Sequence, residues 1–326
     1  MTKKFPLPGV FTLKGNIVKT STDIAAIEYE KTLNDLITDA RVSYYNYIFI
    51  SRATEIIIEN QSLLKSIHDV AEAKYSAGNG SFSNVIKVQV EISKLDDDLI
   101  TLKEKLEVEK ARLNTLMNRE LEAPLRIPAE TEEYKLSVPI DKLYKLTEEN
   151  QQMLRIIDQK IQKMVLMLDM GERMFFPEVT LGASYFEERS GILKSSVSPR
   201  LMMMPQYYWF GKNDAYLDEL KTRINSMKEM YTAERNKYIL NTKSLYFNLD
   251  SAEREMTLYK ASLIPKSETA LKAATAGYEG GEVDFLHIID AQRLYLKFKL
   301  GYFEARNKYR IKLAELEKNV GIPISE

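Results

Sequence analysis

Cysteine is absent from the 326 residues, and histidine occurs only at His68 and His287. Without thiols there is no disulfide framework and no thiolate metal or redox site. Two histidines far apart in sequence leave little material for a His-based metal centre or a Ser/His/Asp arrangement. No glycine-rich phosphate loop or metal-ligand spacing occurs either. The chain is therefore expected to be no enzyme, with no catalytic residue, no metal and no cofactor. Glycine (13) and proline (10) are too sparse for a loop-rich fold. Charge of one sign is lacking as well: 46 basic and 47 acidic side chains give a net charge of -1. That balance excludes the electrostatic footprint of a nucleic-acid binder. No window of about twenty apolar residues is present, so no transmembrane helix is expected. Met1 to Pro8 lacks the apolar core of a secretory signal.

What the sequence has in quantity is heptad pattern. Val85, Val88, Ile92, Leu95, Leu99, Leu102, Leu106, Leu113 and Leu116 follow the a/d spacing of a coiled-coil seam. Adding 203 to each number gives Ile288, Ala291, Tyr295, Phe298, Tyr302, Ala305, Tyr309, Leu316 and Asn319. The seam recurs in phase and fails only at the last step. The preceding turns match at the same offset: Tyr75-Ser-Ala-Gly78 with Tyr278-Glu-Gly-Gly281, and Phe82 with Phe285. Internal duplication accounts for all of this economically.

The repeat predicts two long antiparallel helical hairpins. Gly78 and Gly281 supply the positive φ that ends a helix, and Ser83 or Asp284 is placed to cap the next. A continuous helix is expected from Thr22 to Ala77, on the order of 80 Å long at about 1.5 Å per residue. Another is expected from Asn213 to Glu279, with a kink at Pro265. Between the repeats, Pro124, Pro128 and Pro139 mark an irregular stretch, and helical periodicity resumes from Lys145 to Met174. Val179, Leu181, Ala183 and Tyr185 then alternate with Thr180, Gly182, Ser184 and Phe186, as in a strand with one apolar face. A turn at Arg189 to Gly191 precedes a second extended run, Lys194 to Trp209, which ends in aromatics. Such a pair suits a membrane β-barrel segment. A small hairpin packed on helices is the other reading that the pattern alone allows.

The order helix, strand, turn, strand, long helix, Tyr-x-x-Gly tip and returning helix resembles the repeat of TolC-like outer-membrane efflux proteins. Ala276 to Gln292 is similar to the family's C-terminal repeat signature, and Ala305 to Gly321 to the stretch after it. Phe5 to Gly15 resembles the second barrel strand of the first repeat. The resemblance covers nearly the whole chain and implies a mainly α fold. In it, duplicated coiled-coil hairpins form an α-helical barrel, and short strands join a trimeric outer-membrane β-barrel. Residues 1–121 would be a truncated first repeat that opens at its second strand. Residues 122–326 would be the second repeat.

The resemblance also implies a homotrimer in outer-membrane lipid that extends into the periplasm of a Gram-negative envelope. Its partners would be a periplasmic adaptor and an inner-membrane exporter, with no nucleic acid involved. The gate positions of the family fall on His287 and Asp290, three apart on one helix face. The adaptor-docking tips fall on Tyr75, Gly78, Tyr278 and Gly281. A family ion pair between the hairpins maps onto Asn84 and Val283, which cannot form one, so other contacts would have to hold a closed state. A periplasmic adaptor would show one hairpin rather than two. A soluble coiled-coil scaffold would leave the alternating strands unexplained. The methionines Met164, Met167, Met170, Met174 and Met202 to Met204 read as core filler or lipid-facing residues rather than Cu(I) ligands.

Overall fold

The computed structural model describes residues 2–5, 9–125, 136–173, 178–188, 194–204 and 211–324. They are mainly helical. Strand β1 (Thr2–Phe5) leads into the long helix α1 (Val10–Ser76), followed by α2 (Phe82–Leu116), α3 (Ile140–Asn150) and α4 (Gln152–Arg173). Strands β2 (Glu178–Glu188) and β3 (Lys194–Met204) come next. Helix α5 (Lys212–Leu258) passes through a π turn, Tyr259–Leu263, into α6 (Ile264–Gly280), and α7 (Phe285–Val320) completes the chain. Among the described residues no helix is long and apolar enough to cross a membrane.

The chain forms two compact units. The first comprises Met1–Leu33 and Lys145–Leu240. It holds the antiparallel sheet β1-β2-β3, in which Thr2 lies opposite Gly182 and Tyr185 opposite Val197. Pro199, which has no N–H to give to a ladder, sits in the outer strand β3 of this sheet. Ile24 and Ile27 of α1 pack on Ile156 of α4. Gly171 lets α4 approach α5 closely: a Cβ there would stand 3.2 Å from Leu217 and 3.3 Å from Tyr216.

The second unit, Asn34–Tyr144 and Asn241–Glu326, contains both hairpin tips. Its core interleaves four helices: Leu64, Ile67 and Ala71 of α1, Val85, Val88 and Leu95 of α2, Leu271 of α6, and Phe285 and Ile288 of α7. The tip-proximal parts of both seam copies, Val85 to Leu102 and Ile288 to Tyr295, thus close on one shared core. Asn319, where the apolar pattern fails, is buried and donates to Thr242 Oγ1 at 2.8 Å. A hydrogen bond there satisfies a polar group at a core position.

Four local expectations need correction. The strand expected over Phe5 to Gly15 ends at Phe5, and α1 begins at Val10 instead of near Thr22. Gly9, with φ +95°, makes the turn, and Val10 and Leu13, three apart, are both buried at helical spacing. Ser81 rather than Ser83 caps α2, its hydroxyl accepting from the Ser83 N–H at 3.2 Å. Helical structure before β2 starts at Ile140 and breaks at Gln151, whose side-chain oxygen accepts from the Met153 N–H and restarts the helix as α4. At Pro265, where a kink is expected, the helix runs on through a π turn. The proline lacks the N–H that Ala261 O would receive, and the turn before it takes π hydrogen bonding instead. The turn at 189–193, the aromatic run 207–210, Pro128 and Met174 lie outside the described residues.

The paired helical tips as the candidate functional site

Each hairpin reverses on a glycine in the left-handed region, Gly78 at φ +74° and Gly281 at φ +80°. An L side chain is strained there, which is why glycine recurs at the 203-residue offset. An aromatic pair braces each turn: Tyr75 against Phe82 at 5.3 Å and Tyr278 against Phe285 at 5.1 Å between ring centroids.

The two pairs meet opposite surroundings. Tyr75 and Phe82 are 47% and 55% exposed, whereas Tyr278 and Phe285 are 7% and 0% exposed. The second pair is part of the four-helix core. The Tyr278 ring is thus covered within its own chain. The first pair continues along α2 in Ile86 and Val90, both exposed at four-residue spacing.

Polar contacts tie one hairpin to the other. Lys74, in the last turn of α1, donates to the carbonyls of Tyr278 and Glu279 at the end of α6, and its ammonium stands 4.4 Å from the Tyr278 ring centroid. A cation is favoured at a helix C-terminus, where carbonyls lack intrahelical partners. Arg293 of α7 donates to Glu91 of α2 through Nη2 at 2.6 Å and Nε at 3.2 Å. Lys94 adds a third bond to Glu91 at 2.8 Å. The Arg293 guanidinium, against some opposition from burial, holds the Glu91 carboxyl below the usual carboxylate range, with help from Lys94. Gln292 donates to Asn60 Oδ1 at 3.3 Å, with both side chains buried.

His287 and Asp290 lie on the exposed face of the first turns of α7, beside Val283, Leu286 and Leu294. Asp290 Oδ1 is 3.6 Å from Arg293 Nη1. The structure therefore places both expected gate residues on one free surface, and Gly78 and Gly281 at the two turns. Asn84 and Val283 form no ion pair; Val283 packs on Gly277, where a Cβ would come within 3.0 Å of it. Glu91, Arg293 and Lys74 had escaped sequence reasoning. Their one signal is position, since Glu91 flanks the seam three residues after Val88, and Arg293 follows directly on Ala291 and Gln292.

The family model for outer membrane efflux protein matches residues 143–321. The chain belongs to the outer membrane efflux protein family. It is a TolC-like protein of the outer membrane, a place neither a soluble scaffold nor a periplasmic adaptor would have. Over 75 residues it is 32% identical to the cobalt-zinc-cadmium resistance protein CzcC of Cupriavidus metallidurans. That match spans 21% of this chain and 18% of CzcC. Among solved structures it superimposes on the outer-membrane channel OprN with a TM-score of 0.83 and 16% identity, covering 98% of this chain and 73% of OprN. The outer membrane protein VceC of Vibrio cholerae gives 0.83 at 14% identity, covering 99% of this chain and 78% of VceC. At these identities the likeness is one of fold.

Proposed function

We propose that this efflux protein is one protomer of a trimeric exit duct, the outer-membrane component of a tripartite efflux or secretion system. In this reading β1, β2 and β3 enter a shared barrel. A three-stranded sheet has free edges, and closure with neighbouring protomers pairs the backbone groups that lipid cannot satisfy. The chain divides into two repeats, 1–121 and 122–326. The observation that carries the reading is the inequality of the duplicated tips. One tip buries its aromatic pair and turns the face bearing His287 and Asp290 outward; the other displays its aromatic pair.

The two faces then take different work. Asp290, with His287 one turn nearer the tip, lines a three-fold constriction whose charge selects ions, as rings of side chains do in channels. Tyr75 and Gly78, continued by Phe82, Ile86 and Val90, receive the helical hairpin of a periplasmic adaptor, with Gly281 fixing the second tip beside them. An inner-membrane exporter delivers the cargo. Arg293–Glu91 and Lys74–Tyr278 hold the closed state in place of the missing pair at Asn84 and Val283. Light scattering on the detergent-extracted protein tests the assembly. A trimer is expected, and a monomer soluble without detergent contradicts it.

A further inference from the structure

Beside the π turn, the second unit holds a cavity of about 200 Å³ between α1, α5 and α7. The local sequence accounts for its place. Gly301 lets the Tyr259 ring lie directly on α7, since a Cβ there would stand 2.7 Å from Tyr259 Cζ. Lys260 and Ala261, the next two residues of the turn, line the cavity. The extra residue of a π turn displaces side chains from the α-helical register, and such turns are frequent at functional sites. One wall of the cavity is apolar and aromatic, formed by Tyr45, Tyr302 and Met256. The other is cationic, formed by Lys260, Arg306 and Arg310 against one carboxylate in the lining, that of Glu253. Arg310 is only 9% exposed, and its guanidinium stands 5.7 Å from the Tyr45 ring centroid. Lys260 and Glu253 are exposed.

We propose that this cavity binds a small aromatic carboxylate. A planar carboxylate matches the fork of a guanidinium in a bidentate pair. Each guanidinium carries five N–H donors, so one already engaged within the chain keeps donors for an anion. Behind the charge, the ligand ring packs on Tyr45 and Tyr302 and on the Met256 thioether. A volume near 200 Å³ admits a single- or double-ring body and no drug-sized one. Burial at the Arg310 end strengthens the charge contact. Lys260 at the exposed end adds an attraction that salt screens. An aromatic cation of the same size would meet repulsion from three side chains. This inference does not rest on the duct reading.

The test compares three probes that share one ring system. Purified full-length protein in detergent is titrated at neutral pH with naphthoate, followed by its fluorescence and by calorimetry. One saturable site per chain is expected. Uncharged naphthamide should bind at least about tenfold more weakly, because it forfeits the charge-assisted hydrogen bonds. Naphthylmethylammonium should not bind. Uptake into micelles would favour the uncharged probe and so runs against the expected order. Met256→Trp, which fills the cavity, should abolish binding. Lys260→Gln, at an exposed position, should weaken it about threefold and flatten its salt dependence. Circular dichroism reports the fold of each variant; if Met256→Trp loses helicity, Ala261→Trp at the exposed side of the lining replaces it with the same expected loss. No saturable naphthoate site, naphthamide bound as tightly, or undiminished binding in the filled variant overturns the proposal.

Discussion

Arg293 on α7 grips Glu91 on α2 with two hydrogen bonds from one guanidinium, 2.6 and 3.2 Å long, across the boundary between the two hairpins. Glu91 is nearly buried, its side chain 12% exposed, while Arg293 stays 48% exposed. Water screens the open end, so the coupling belongs nearer about 1 kcal/mol than the upper range of charged pairs. A double-mutant cycle with Glu91→Gln and Arg293→Gln, read by denaturant unfolding, should return that value. The sign of its pH dependence follows from the direction of the shift. A carboxyl held low when folded adds stability above the ordinary glutamate value of about 4.3. The contribution is lost as pH falls through the lower, folded value. Glu91→Gln should therefore show a flatter acid limb than the parent.

The unequal tips make Tyr75 and Tyr278 a controlled comparison. Tyr278→Ala empties a core position and should cost about 3–5 kcal/mol. Tyr75→Ala, at a half-exposed ring, should leave stability nearly unchanged and abolish cross-linking to the adaptor. The Tyr278 hydroxyl is buried without a hydrogen-bond partner. Tyr278→Phe is accordingly expected to be neutral or slightly stabilising. Thermal unfolding of the three variants, with adaptor cross-linking in the envelope, checks the pattern.

Gly78 and Gly281 isolate a backbone effect. An added Cβ at either meets nothing within 4 Å. Any loss on substitution thus comes from the positive φ, about 1–2 kcal/mol for an ordinary residue. Valine at either site should lower the unfolding midpoint and impair efflux, while membrane insertion remains normal. Asparagine, which tolerates this conformation, should do less harm. Full efflux and cross-linking by Gly281→Val would remove the tip from the docking surface.

Much of the fold was legible because heptad spacing and turn glycines are local signals. The seam from Val85 to Leu102 and its copy from Ile288 to Tyr295 both enter the core, and the paired glycines both take positive φ. The inequality of Tyr75 and Tyr278 was hidden, since identical motifs gain different burial only when the second hairpin packs on the first. Glu91 and Arg293 meet for the same reason; no spacing rule joins residues on α2 and α7. The strand boundary at Phe5 was misplaced because the strand over Phe5 to Gly15 rested on resemblance, whereas Gly9 turns the chain and the buried Val10 and Leu13 follow helical spacing. The candidate gate was read from resemblance. The structure adds that His287 and Asp290 share an exposed face, with Arg293 3.6 Å from the carboxylate.

The claim that α7 lines the narrow end of a trimeric duct is tested most directly by single-channel recording in planar bilayers, comparing the parent with Asp290→Asn. The change is nearly isosteric, on an exposed side chain, so assembly should survive. A ring of Asp290 carboxylates predicts cation preference and block by multivalent cations from the periplasmic side. The variant should lose both. Unchanged ion selectivity and unchanged multivalent block in Asp290→Asn would place Asp290 outside the pore and contradict the account.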